Sequence, residues 1–133
     1  MLAAAAFAMA LATQADLDGT SWRLKGISGF TIPPRARRAI LSFGQAGNYG
    51  GYDGCNNYGG AYRLEGGRMV TTGGIVQTVG CPSRRDPRLM ERAEAFRRGL
   101  DDAELRTDGE RLEIRGRKGV HIRMRRIRDD DAK

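Results

Sequence analysis

The side chains best suited to chemistry in this sequence are two cysteines, Cys55 and Cys81, and a single histidine, His121. A cysteine nucleophile needs a base that makes the thiolate and a further group that orients the base. Asn56 or Asn57 could orient the base only by coincidence. His121 precedes Ile122 in an alternating pattern that places the histidine on the outer face of a strand. We therefore expect no catalytic residue and no enzymatic activity.

Metal and cofactor sites are not expected either. A zinc site needs three or four ligands from Cys, His or carboxylate groups at suitable spacing, and the sequence has neither a CxxC nor an HxxxH motif. The glycine-rich segment 48–62 lacks the lysine and the hydroxyl residue of a phosphate-binding loop. The sequence thus predicts a chain without a cofactor.

The first twelve residues, MLAAAAFAMALA, are apolar and uncharged. This run is too short to span a bilayer as a helix, but it matches the hydrophobic region of a signal peptide. Small residues suited to cleavage lie at the end of this run, at Ala10-Leu11-Ala12, and just after it, at Thr13-Gln14-Ala15. We expect residues 1–15 to be a signal peptide cleaved near Ala12 or Ala15, and the protein to be periplasmic or secreted. The alternative is an alanine-rich leader with no role in export.

Export bears directly on the two cysteines. An even number of cysteines in an exported chain is the usual setting for a disulfide. A bond between Cys55 and Cys81 would stabilise the fold by about 3–4 kcal/mol in the chain-entropy model. If the leader is not a signal peptide, both residues are expected to be buried thiols.

The net charge of +7 comes from 23 basic and 16 acidic residues, and nearly all the basic ones are arginine. Such a balance favours an anionic partner or reflects a composition rich in arginine. The basic residues are dense in two short segments only: Arg35, Arg37 and Arg38, and Arg123, Arg125, Arg126 and Arg128. Because the others are dispersed among acids, nucleic acid is not the expected partner. A basic module that binds nucleic acid or another anionic surface is kept as the alternative function.

Hydrophobic periodicity predicts strands and one helix. Alternation marks strands around Trp22 and Leu24, around Leu41 and Phe43, and through residues 103–127, where a β-meander is expected. The segment 86–100 has the spacing of an amphipathic helix, with Asp86 as its N-cap. We therefore predict an α+β fold: a small antiparallel domain over residues 16–128, with a curved sheet or partly open barrel, and a charged tail at 129–133.

All four tyrosines lie in the glycine-rich segment. Tyr49, Tyr52, Tyr58 and Tyr62 form a candidate recognition patch, since aromatic rings with hydroxyl groups suit partner binding. The other interpretation, which we favour, is that Tyr58 and Tyr62 occupy the inward face of a strand while Tyr49 and Tyr52 pack around a turn.

Five segments together resemble the META domain family, which includes the HslJ-like heat-shock proteins. They are LDGTSWRL, GYDGCNNYGGAY, QTVGCP, MERAEAF and DGERLEI, and the resemblance runs from about Leu17 to Ile127. The core of the signature is Gly54-Cys55-Asn56. The second cysteine departs mildly from the family pattern, with Val79 and Gly80 where methionine and alanine are usual.

The resemblance implies a small antiparallel β-rich domain with one helix, commonly exported in bacteria and associated with stress. It brings no catalytic residues, and Gly54, Cys55 and Asn56 transfer only as a structural signature. It implies an unidentified protein or small ligand in the cell envelope as partner. We expect a monomer with no transmembrane segment.

Overall fold

The computed structural model describes residues 8–34, 36, 38–77 and 86–128. The strands are β1 Ala10–Leu11, β2 Ser21–Ile27, β3 Ile40–Phe43, β4 Asn48–Tyr52, β5 Asn57–Glu65, β6 Arg68–Gln77, β7 Ala103–Thr107, β8 Arg111–Arg115 and β9 His121–Ile127. The helices are α1 Gln14–Leu17, α2 Leu89–Leu100 and a 3-10 turn at Arg117–Gly119. The charged tail 129–133 and the segment 78–85 lie outside the described residues.

The nine strands form one antiparallel sheet in the order β1-β7-β6-β5-β4-β3-β2-β9-β8. β7 also pairs with β8, so the sheet returns on itself as a ring. β6 meets β7 only at Met69 and its neighbour Arg68, and β1 pairs with β7 further along. The ring is therefore a strongly curved sheet rather than a barrel. The predicted α+β class with a curved antiparallel sheet and one main helix is confirmed.

The core lies on the inner side of this ring. Seven of the alternating residues predicted to face inward are at most 2% exposed: Trp22 and Leu24 on β2, Leu41 and Phe43 on β3, Leu112 on β8, and Ile122 and Met124 on β9. Each such side chain contributes roughly 1.5–3 kcal/mol by leaving water. The alternation then fixes which side chains of the same strands face outward.

The helix begins later than the sequence predicts. Arg88, not Asp86, is the N-cap of α2. The Asp86 carboxylate instead accepts hydrogen bonds from both terminal nitrogens of Arg92, at 3.2 and 2.5 Å. Arg92 is 3% exposed, and a buried guanidinium requires such a partner. This pairing engages the carboxylate and explains why it does not cap the first turn.

Part of the predicted signal-peptide region belongs to the folded structure. Ala10–Leu11 pairs with β7, and the backbone N–H of Ala12 donates to the Leu105 carbonyl at 2.8 Å. Thr13 and Asp16 form a capping box at the start of α1. These contacts are present in the full-length chain, before any signal-peptide cleavage. Cleavage near Ala12 or Ala15 stays a prediction.

The helices within the described ranges are too short or too polar to cross a membrane.

Candidate functional site

Two copies of the triplet Tyr-Gly-Gly pair with each other in the β4–β5 hairpin. The antiparallel register sets Tyr49 opposite Gly60 and Tyr58 opposite Gly51. At Gly51, where φ is +150°, a Cβ atom would lie 2.1 Å from the carbonyl oxygen of Ile40. At Gly60 it would lie 3.0 Å from the Tyr49 ring. Gly60 therefore leaves room for the Tyr49 ring, whereas Gly51 leaves room for the Ile40 carbonyl group on β3.

Three of the four tyrosine rings form one aromatic cluster. The Tyr49 ring centroid lies 6.2 Å from that of Tyr58 and 6.3 Å from that of Tyr62. Tyr58 contacts Phe96 of α2 edge-on at 5.9 Å, and Tyr62 contacts Phe43 at 5.0 Å. Tyr58 and Tyr62 are 8% and 5% exposed, as expected for residues on the inward face of a strand.

The tyrosine hydroxyl groups form hydrogen bonds inside the fold. Tyr58 donates to the Ile40 carbonyl at 2.7 Å and Tyr62 to a carboxylate oxygen of Asp18 at 3.1 Å. Tyr52, which is not part of the aromatic cluster, donates to the Gly54 carbonyl at 3.0 Å. These bonds support the structural interpretation of the tyrosines. A recognition role for the patch stays a prediction.

The environment of the cluster raises the pKa of its phenols. Burial raises the pKa of Tyr58 well above its ordinary value, with smaller contributions from the charge of Asp53 and from Tyr49. Burial, followed by the hydrogen bond to Asp18, also raises the pKa of Tyr62. The pKa of Tyr49 is raised by burial, against an opposing hydrogen bond with Thr71. All three rings are therefore neutral at physiological pH.

The family signature Gly54-Cys55-Asn56 forms the turn between β4 and β5. One carboxylate oxygen of Asp53 accepts the backbone N–H groups of Cys55 at 2.8 Å and of Asn56 at 2.6 Å. Gly54 has a φ of +101°, which favours glycine. Cys55 is 4% exposed. Asp53 thus shapes the turn that carries the signature.

The other carboxylate oxygen of Asp53 binds Arg97 of α2. The Arg97 Nε atom donates to it at 2.7 Å, and the Asp53 side chain has no exposed surface. This bond joins the signature turn to the helix. Neither Asp53 nor Arg97 is among the residues predicted from the sequence. The Asp-Gly step could have predicted the turn, but no sequence pattern connects Asp53 with a residue 44 positions away.

The structure does not bring Cys55 and His121 together. β2 and β3 lie between β4, which leads into Cys55, and β9, which begins at His121. His121 is half-exposed, with its Nε2 atom 3.8 Å from the carboxylate of Glu113. Cys81 lies outside the described residues, so its disulfide with Cys55 stays a prediction. No cluster of three or more potential metal ligands occurs within the described part of the chain.

A second candidate site is a basic face on the outer side of β2, β9 and β8. The register sets Arg125 of β9 directly opposite Arg23 on one side and opposite Arg111 on the other. Next to this row, Arg123 lies over Gly26, where a Cβ atom would be 2.4 Å from its guanidinium. We call Arg23, Lys25, Arg111, Arg123 and Arg125 the basic face.

The basic face holds few ion pairs. Arg111 pairs with Asp108 at 2.8 Å, whereas among the described residues Arg23, Lys25, Arg123 and Arg125 have no salt bridge. Shallow depressions of ≈ 330 and ≈ 540 Å³ lie beside Arg125, and both are lined by Lys25 and Glu110. Like charges placed directly opposite each other weaken a sheet, so this arrangement has a cost in stability.

The described arginines of the two dense basic segments do not all lie in one surface cluster. Arg35 and Arg37 lie outside the described residues, and Arg38 donates to the Leu24 carbonyl at 3.3 Å. In the second segment, Arg126 donates to the Gly109 carbonyl at 3.4 Å and Arg128 pairs with Glu110. Only Arg123 and Arg125 belong to the basic face. Arg23, Lys25 and Arg111 were not predicted to join them, because only the strand register brings these residues together.

The described structure defines a class of protein: a small antiparallel α+β domain whose signature turn is fixed to its helix. The META domain family model matches residues 15–129, and the chain belongs to that family. The predicted resemblance is therefore confirmed.

Two solved structures share the fold. An NMR structure of a protein from Burkholderia xenovorans is 18% identical, with a TM-score of 0.71, and the match covers 96% of this chain and 94% of that one. A second NMR structure is 19% identical, with a TM-score of 0.71 and coverage of 86% and 94%. No curated protein matches the chain.

Proposed function

We propose that this protein is a non-enzymatic, exported META-domain protein of the cell envelope, related to stress, that acts by binding a partner protein or small ligand. It works as a monomer and without a cofactor. The single observation that carries the proposal is the complete engagement of the Asp53 carboxylate. One oxygen holds the signature turn and the other holds Arg97, so the signature has a structural role.

The position of the histidine supports the same conclusion. A cysteine nucleophile at residue 55 would need a base within hydrogen-bond reach. His121 begins β9 on the other side of β2 and β3 and faces Glu113. Binding through the surface of the domain then accounts best for a chain whose signature turn is held by Asp53 inside the fold.

A disulfide between Cys55 and Cys81 is part of the proposal. It would attach the chain after β6 to the same turn that Asp53 shapes. The test is to count thiols in protein purified from the periplasm, with and without reductant, and to determine the mature N-terminus by mass spectrometry. We expect no free thiol before reduction and a shortened N-terminus. Two free thiols, or the full-length chain in the cytoplasm, would refute export and the disulfide.

A second function is favoured by the basic face: the protein is a basic module for an anionic surface. The observation that favours this function is the row of Arg23, Arg125 and Arg111. In this row Arg125 lies directly opposite a positive residue on each adjacent strand. Binding that weakens steeply as salt rises would support this function, because contacts to phosphate release counterions. Binding that is independent of salt would refute it.

A further inference from the structure

The row Arg23–Arg125–Arg111 runs across three adjacent strands of the ring. Neighbouring strands lie about 5 Å apart, and outward side chains recur about every 7 Å along each strand. Lys25 and Arg123 add positive charge next to this row. Asp108, Glu110 and Glu113 are acids near the face; Asp108 pairs with Arg111, and Glu110 pairs with Arg128. The face thus presents closely spaced cations to a broad surface rather than to a narrow cleft.

We infer that the basic face docks on phosphate-bearing lipid headgroups at the surface of a membrane. The inference rests on the proposed function, because export places the chain beside envelope membranes. A sheet that sets arginine opposite arginine loses stability, and a layer of anionic headgroups compensates each of these charges. Each basic residue near such a layer strengthens attachment about fivefold.

The composition of the face favours lipid over nucleic acid. Single strands are held by aromatic side chains on which bases stack, and the basic face contains none. Trp22 is buried beneath it, and the tyrosines belong to β4 and β5. Duplex DNA is usually read by a helix in the major groove. Helix α2 packs through Gly99 on the buried residue Ile122, so it lies on the inner side of β9, away from Arg125.

The attachment would be peripheral and reversible by salt. The described large apolar side chains that are exposed, Leu11, Ile75, Val76 and Met90, belong to other elements. The basic face therefore has no apolar group to insert among acyl chains, and its affinity depends on charge alone. Screening then weakens the attachment as ionic strength rises.

The experiment measures binding of the purified full chain to vesicles of phosphatidylcholine with and without phosphatidylglycerol. The test variant is Arg23→Gln/Arg125→Gln. The matched control is Arg63→Gln/Arg98→Gln, which removes the same number of charges from exposed arginines on β5 and α2, where the side chains are 62% and 79% exposed. Thermal melting shows that each variant is folded before binding is measured.

We expect binding to the anionic vesicles only, with the test variant weakened about 30-fold and the control much less. Equal losses in the two variants, or equal binding to vesicles without phosphatidylglycerol, would overturn the inference. So would tighter binding to a short DNA single strand or duplex, or release from vesicles by inorganic phosphate at constant ionic strength. Tighter binding to DNA would assign the face to nucleic acid, and release by inorganic phosphate would assign it to the free ion.

Cell fractionation separates the inference from the proposed function. A chain that is exported but does not bind anionic vesicles refutes lipid docking and leaves the proposed function standing. A chain that binds vesicles but stays in the cytoplasm refutes the proposed export.

Discussion

Asp53 and Arg97 join two parts of the protein that are distant in sequence. The Arg97 Nε atom donates at 2.7 Å to a carboxylate whose side chain has no exposed surface, while the other oxygen of that carboxylate holds the signature turn. The turn and helix α2 therefore share one buried charge. A change at either residue should affect both elements.

The first prediction concerns this shared charge. Asp53→Asn removes the ion pair and replaces one acceptor oxygen by a donor, so we expect a loss of about 2–4 kcal/mol in the free energy of unfolding. Urea unfolding followed by Trp22 fluorescence measures it. The control is Glu94→Gln, which breaks the exposed pair with Arg98 and should cost under about 0.5 kcal/mol. A similar small loss in both variants would contradict the structural role of Asp53.

The second prediction tests the close approach of Gly51 on β4 to the backbone of β3. Gly51→Ala places a methyl group 2.1 Å from the Ile40 carbonyl oxygen, so we expect a loss of roughly 3 kcal/mol or more. Gly109→Ala is the matched control, because Gly109 also has a positive φ but no atom near the new methyl group. It should cost about 1–2 kcal/mol. If Gly51→Ala and Gly109→Ala lowered the melting temperature equally, the contact with the Ile40 carbonyl would not be the reason for glycine at position 51.

The third prediction is a loss of stability at alkaline pH. The pKa values of Tyr58 and Tyr62 are raised above 10.0 in the folded protein, so the unfolded chain releases these protons first. The stability that these two raised pKa values contribute to the free energy of unfolding is fully present below pH 10.0. It is lost as the pH rises above that value. Urea unfolding of Tyr58→Phe/Tyr62→Phe should therefore depend less on pH above this point than the wild type. Parallel curves for the two proteins would rule this mechanism out.

The single variant Tyr62→Phe tests one of these hydroxyl groups at neutral pH. Tyr62→Phe removes the hydrogen bond to Asp18 and should cost about 1–2 kcal/mol in the free energy of unfolding. The carboxylate of Asp18 keeps the hydrogen bond from Gln14, which limits the loss.

The fourth prediction concerns the cost of the basic face. Arg125→Gln removes the charge that lies opposite both Arg23 and Arg111, so we expect a gain of about 0.3–1 kcal/mol in stability at low salt. The gain should fade as salt screens the repulsion. Arg63→Gln, which breaks the exposed pair with Glu65, should give no such gain. A destabilised Arg125→Gln protein would mean that the row is not repulsive.

The fifth prediction distinguishes the two predicted cleavage positions. A chain that starts at Thr13 keeps α1 and its capping box, whereas a chain that starts at Asp16 loses Thr13 and the first two residues of the helix. The shorter chain should be less stable by about 1 kcal/mol or more. Thermal melting of the two purified forms provides the comparison, and equal melting temperatures would show that α1 and its cap contribute nothing to stability.

Sequence periodicity predicted the features of the fold that depend on residues close together in sequence, such as which side chains of a strand are buried. Trp22 and Leu24 alternate with charged residues, and that local pattern was enough to place them in the core. Arg92 could not be predicted as buried, because its partner Asp86 had the features of an N-cap and only the packed helix shows otherwise. The basic face was hidden for a similar reason, since strand register and not sequence distance sets Arg23 beside Arg125.

The pairing of β2 with β9 has a consequence for how the chain acquires its structure. Trp22, near the start of the domain, lies opposite Arg126 at its end. The ring therefore cannot close until the last strand has left the ribosome, and contacts of such long range make folding slow. Until then the edges of β2 and β8 that pair with β9 stay open, so the C-terminal strand is the piece that completes the core.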